Sequence, residues 1–209
     1  MSHLARFVML ATVAMTAAAA PGLALDAADG YVFVPNRGSA DIAVIDTRTD
    51  RLVTRLPVGR VPHQVVVSDV AGKLVASNTA DDTLSIVDLS TLRTTTLELD
   101  DEPEHMALAP DGLLLAIGNI AAGTISLVSL EHERELARVP GLFDPHNLTF
   151  SPDGALLYVA NLGANHVSVI DVASARVVDE IPVGRPPAVA AAGGIGAEFQ
   201  GIINVTPTL

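Results

Sequence analysis

The chain has 209 residues and is 49% hydrophobic but only 3% aromatic, with no Trp and no Cys. Its formal net charge is −12 and Lys73 is its single lysine, which excludes the clustered Lys and Arg that track nucleic-acid phosphates or anionic lipid. The lack of Cys excludes disulfides, a thiol nucleophile, thiolate metal sites and haem attachment through Cys-x-x-Cys-His.

Met1–Ala24 reads as a secretory signal. Arg6 supplies the positive region, Phe7–Ala20 the apolar run, and Gly22 and Ala24 the small residues before a cleavage site. The run is too short for a comfortable membrane span. The expectation is a periplasmic or secreted chain that begins near Leu25 and has no stable membrane span.

Strand signals start at Tyr31. Tyr31–Pro35, Asp41–Asp46 and Leu52–Val58 form a group of three. His63–Ser68, Lys73–Ser77, Thr83–Asp88 and Thr94–Leu99 form a group of four. A second group of four is His105–Ala109, Leu113–Ile117, Thr124–Ser129 and Arg134–Val139. The third is His146–Phe150, Leu156–Ala160, His166–Val172 and Val177–Val183. These are short runs rich in Val, Ile, Leu and Thr, punctuated by Gly, Asn, Asp and Pro, with no helical period. Asp111-Gly112 and Asp153-Gly154 are hairpin signals.

The groups repeat. Asn36, Asn78, Asn119 and Asn161 recur at nearly equal steps, the middle step one shorter than the other two, and Asp46, Asp88, Ser129 and Asp171 keep the same phase. A four-stranded antiparallel unit with two apolar faces cannot bury both alone, so the copies must stack on one another. The predicted fold is all-β: a β-propeller of four-stranded antiparallel blades, about four repeats of 41–42 residues, over residues 25–192. Residues 193–209 read as an irregular tail in which Gly201–Thr206 is a further strand candidate. Gly184-Arg185-Pro186-Pro187 copies the junction Gly59-Arg60-Val61-Pro62, so Ala188–Ala192 falls where another first strand belongs. Two arrangements stay open. Either that strand completes the three-stranded first unit and closes the ring, or the repeats form an open or truncated arc of a larger propeller.

His63, His105 and His146 stand at the entries of three predicted innermost strands, and rotational repetition would set them around one mouth of the central channel. Imidazoles there suit a transition metal, an anionic ligand when protonated, or proton transfer. The three are candidate ligand-binding residues and candidate ligands of a divalent metal, against the plainer role of repeat residues bonded to the neighbouring junction. Ala188 interrupts the ring at the fourth position. The acidic run Glu98–Glu104 lacks the glycine-spaced alternation of a calcium loop and reads as a solvated junction. His132 and His166 suit surface or local roles. The repeated Asn and Asp suit turns, where Asn tolerates left-handed backbone and both bond the local chain. Phosphate-loop, His-Glu-x-x-His and Gly-x-Ser-x-Gly signatures are absent from the sequence, and no catalytic residue is identified.

Tyr158-Val159-Ala160-Asn161, preceded by Ser151-Pro152-Asp153-Gly154 and followed by Val167-Ser168-Val169-Ile170-Asp171, resembles the YVTN family of bacterial and archaeal β-propeller proteins. Phe33–Asn36, Val75–Asn78 and Ala116–Asn119 are degenerate copies, and the likeness covers about Tyr31–Ala192. Members commonly have more blades than this chain supplies. The resemblance implies the propeller fold but no particular activity. It extends more distantly to cytochrome d1 haem domains and lactone-cleaving propellers; haem binding does not carry over to this chain. The leading expectation is a binding or scaffold protein that uses loops and the channel mouth to hold a protein or small ligand. The alternative is a lactonase-like, metal-assisted hydrolase built on the histidines.

Overall fold

A computed structural model of the chain describes Leu25 and residues 30–184. The predicted signal at Met1–Ala24, the closing strand at Ala188–Ala192 and the tail 193–209 lie outside the described residues. Among those described there are fifteen strands, in four antiparallel sheets that follow chain order. Blade 1 has three: β1 (Tyr31–Asn36), β2 (Asp41–Asp46) and β3 (Arg51–Pro57). Blade 2 holds β4 (Pro62–Ser68), β5 (Lys73–Asn78), β6 (Thr83–Asp88) and β7 (Thr94–Glu98). Blade 3 holds β8 (Pro103–Leu108), β9 (Leu114–Asn119), β10 (Thr124–Ser129) and β11 (Arg134–Pro140). Blade 4 holds β12 (Pro145–Phe150), β13 (Leu156–Asn161), β14 (His166–Asp171) and β15 (Arg176–Pro182). This all-β arrangement is that of a four-bladed, propeller-like array.

Stacking follows from strands that are apolar on both faces. Leu74 and Ala76 of β5 join Phe33, Ile42, Val44 and Leu56 in a core between blades 1 and 2, where buried Leu25 also packs. Val75, between them in sequence, points the other way and meets Met106, Leu115 and Ile117 in the core between blades 2 and 3. A third core sets Ile125, Leu127 and Val139 of blade 3 against Leu148, Phe150, Leu157 and Ile170 of blade 4. The side chains are almost all Val, Leu, Ile and Ala, as the low aromatic content required.

Polar contacts also tie the blades. Lys73 on β5 reaches Asp88 at 2.8 Å and, in the next blade, Glu133 at 2.7 Å. Ser68 Oγ donates to the Gly112 carbonyl at 2.5 Å. The repeated Asn residues differ from expectation, because none has the left-handed backbone of a turn. Their side chains instead span the hairpin: from buried positions Asn78 Nδ2 donates to Thr83 Oγ1 and Ser85 Oγ, Asn119 Nδ2 to Thr124 Oγ1 and Ser126 Oγ, and Asn161 Nδ2 to Ser168 Oγ, while half-buried Asn36 donates to Asp41 Oδ1. Left-handed geometry falls later in the hairpin, at Ala40, Asp82 and Gly123. The repeated Asp behave as read: Asp88 Oδ1 accepts from the Ser90 and Thr91 N–H groups, and Asp171 Oδ1 from that of Ser174.

Candidate functional site

Each inner strand is entered through a backbone of the same shape. Val61, Glu102 and Asp144 all hold positive φ (53°, 57° and 49°), and each is followed by Pro62, Pro103 or Pro145. A left-handed non-glycine residue is strained, so three repeats of it show that the surrounding junction fixes the entry angle. The prolines pair with the repeated asparagines: Pro62 with Asn78, Pro103 with Asn119 and Pro145 with Asn161.

This register corrects the ring of three equivalent histidines. Val65, Met106 and Leu148 occupy one position, opposite Ala76, Ile117 and Val159. Counting back, His63, Glu104 and His146 are equivalent, and His105 matches Gln64 and Asn147 one step further along. The two His-to-His steps run long then short, whereas the Asn steps over the same blades run short then long. The register slips within each inner strand over these residues, between Pro62 and Val65, Pro103 and Met106, and Pro145 and Asn147. Gln64, the counterpart of His105, stitches blade 2 to blade 3 by accepting from the Met106 N–H through Oε1 at 2.6 Å.

The inner strands nonetheless bring all three imidazoles together. His63 and His105 lie edge to face with ring centres 5.2 Å apart, and His105 and His146 are 4.0 Å apart at 50°. His105 Nε2 and His146 Nε2 are 3.0 Å apart, a hydrogen bond in which one neutral ring donates and the other accepts. His63 Nε2 is 3.9 Å from Glu104 Oε2, while His63 Nδ1 is buried with no hydrogen-bond partner. One donor atom each from His63, Glu104 and His105 falls within 4.8 Å of the other two, a spacing that suits a divalent metal.

Burial drives the electrostatics. It pushes His105 down to about 4, with the neighbouring His146 and His63 acting the same way. Burial also lowers His63; Glu104 opposes that shift, and Arg37 and His146 reinforce it. Both imidazoles are therefore neutral near pH 7 and offer lone pairs to a metal, with little proton competition.

Sequence reasoning found the three histidines and missed Glu104, which it placed in a solvated acidic run. Glu98, Asp101 and Glu102 of that run are exposed as read, but two of its acids are engaged. Asp100 receives Arg138 Nη1 at 2.6 Å and Thr124 Oγ1 at 2.9 Å, and Glu104 joins the histidines. The available signal was Pro103-Glu104-His105 standing where the other blades read Pro62-His63 and Pro145-His146. His132 lies exposed near Glu131, and His166 near Glu180 and Phe143, both in the local roles expected.

The fold and this cluster define a β-propeller-like protein in which His63, Glu104 and His105 are spaced so that they could hold a metal ion. A family model described as YNCE-like beta-propeller matches residues 69–168, so the chain is distantly related to known propeller families. Among solved structures, Kuenenia stuttgartiensis Hydrazine Synthase is similar with a TM-score of 0.67 at 22% identity. The match covers 73% of this chain and 46% of that one, so the chain spans less than half its length. At that identity the likeness concerns the fold. A search of curated proteins finds no match.

Proposed function

We propose that this chain is an exported propeller of the YVTN type whose channel mouth holds a divalent metal on His63, Glu104 and His105 and hydrolyses a lactone or related ester there. The convergence of those three donors carries the reading. Nitrogen and oxygen atoms bound to one zinc at about 2.0–2.2 Å lie roughly 3.3–3.5 Å apart in a tetrahedron, a contraction that side-chain rotation can supply. Three protein ligands leave the fourth position for water, whose pKa a bound divalent ion lowers toward neutrality. Beside these three donors stands His146, its Nε2 held 3.0 Å from His105 Nε2.

The test is metal uptake by untagged protein. One zinc or cobalt ion per chain is expected, lost in His63→Ala with His105→Ala. Hydrolysis of a lactone and ester panel should stop with a chelator and return with the ion. Wild-type protein that takes up no metal would remove the reading.

A second reading, a binding or scaffold protein, is favoured by the apolar rim of the same end. Phe143 is 51% exposed, and the neighbouring Leu162, whose N–H donates to the Asp144 carbonyl, is 36% exposed. Such a rim suits an apolar ligand group or a protein partner.

A further inference from the structure

We infer that the metal-bearing mouth takes an anionic substrate, an ester carrying a carboxylate or phosphate, and that Arg37 grips its charged end. This rests on the metal reading above and adds the substrate class. Arg37 directly follows Asn36, at the end of β1. Its counterpart after the next repeated asparagine is Thr79, which shows where this position points. Thr79 Oγ1 donates to the Pro103 carbonyl of the following blade at 3.2 Å, one residue from Glu104 of the cluster. Repetition of that geometry would set Arg37 against Pro62, one residue from His63. The influence of its charge on His63 agrees with that placement.

Arg37 is exposed and, among the described residues, forms no ion pair. Arg48, Arg55, Arg60 and Arg138 are each matched to an Asp or Glu, whereas Arg51, Arg93, Arg134 and Arg176 share the exposure of Arg37 and its lack of an ion pair among the described residues, so its influence on His63 is what sets Arg37 apart. A chain of net charge −12 repels anions over most of its surface. A divalent ion together with Arg37 would set positive charge beside the Glu104 carboxylate, although Asp82, Glu102 and Asp144 also stand at these strand entries. A planar guanidinium matches carboxylate and phosphate oxygens with paired N–H donors, and a neutral lactone gains nothing from it.

The experiment uses the full chain loaded with cobalt(II), whose visible spectrum reports its ligands. Cobalt uptake is measured first by dialysis, and inorganic phosphate is then titrated. Phosphate should perturb the wild-type spectrum. Its affinity should drop about tenfold in Arg37→Met and partly recover in Arg37→Lys, with cobalt uptake unchanged in both. Equal phosphate affinity in wild type and Arg37→Met would overturn the role of Arg37 and leave the metal site standing. Absence of cobalt uptake by the wild type would overturn the metal reading and the inference with it.

Discussion

Replacing Lys73 with Met should cost about 2 kcal/mol, a figure built from two charge-assisted hydrogen bonds, one within blade 2 and one across to blade 3. The Lys73 side chain is 13% exposed, and its partners Asp88 and Glu133 are 30% and 28% exposed. A hydrogen bond to a charged group contributes roughly 1.5–3 kcal/mol, and solvent screening at these carboxylates brings each down to about 1 kcal/mol. Met keeps the packing of the aliphatic stem, so the loss is electrostatic. In a domain of this size that loss is a fall of about 4–8 °C in Tm, measured by calorimetry. The pH dependence is the sharper test. Hydrogen bonds from Lys73 hold Asp88 and Glu133 below the ordinary carboxylate range. A depressed carboxylate contributes stability that is complete above its unfolded pKa and lost as pH falls through the folded one. The gap between wild type and Lys73→Met should therefore be full at pH 7 and narrow steadily below about pH 4. A gap that is absent at pH 7, or as wide at pH 3 as at pH 7, would refute this reasoning.

Three further outcomes follow from the same geometry. In Gly118→Ala the new Cβ would lie 2.7 Å from the Pro145 carbonyl oxygen, forcing blades 3 and 4 apart. The expected loss is about 1–3 kcal/mol in urea unfolding, with weaker metal uptake because His146, which adjoins Pro145, is hydrogen-bonded to the ligand His105. His105, pushed down to about 4 from an ordinary 6.5, should make wild-type stability fall as pH drops from 6.5 towards 4. His105→Asn should flatten that slope in a series of thermal melts. Asn119→Ala removes two buried hydrogen bonds to Thr124 and Ser126 and should cost about 2 kcal/mol by chemical denaturation.

Much of the architecture was legible because the repeated markers are local. Strands such as Thr83–Asp88 and Thr124–Ser129 appear where the apolar runs placed them, and the Asn phase matches the cross-strand pairing. The site was legible in composition but not in register. The interval between His63 and His105 does not reveal whether its extra residue sits in a loop or within a strand. The pairing of Met106 with Ile117 decides that. Glu104 was hidden for a related reason: beside Asp100, Asp101 and Glu102 it reads as one more solvated acid, and its neighbour His63 belongs to the preceding blade. Separation along the chain also concealed the clamp from Lys73 to Glu133, while the inward use of the asparagine side chains depends on hairpin geometry that spacing alone does not encode.

The one-step offset of His105 means that a near-periodic scaffold carries an aperiodic set of donors. Regularising blade 3 to the pattern of blade 2, with His-Gln at residues 104 and 105, would make the copies more alike and discard both the carboxylate and the half-buried imidazole. Averaging the repeats into a consensus would thus favour the scaffold while erasing its chemistry, so what is individual about this molecule resides in the copy that departs from its siblings.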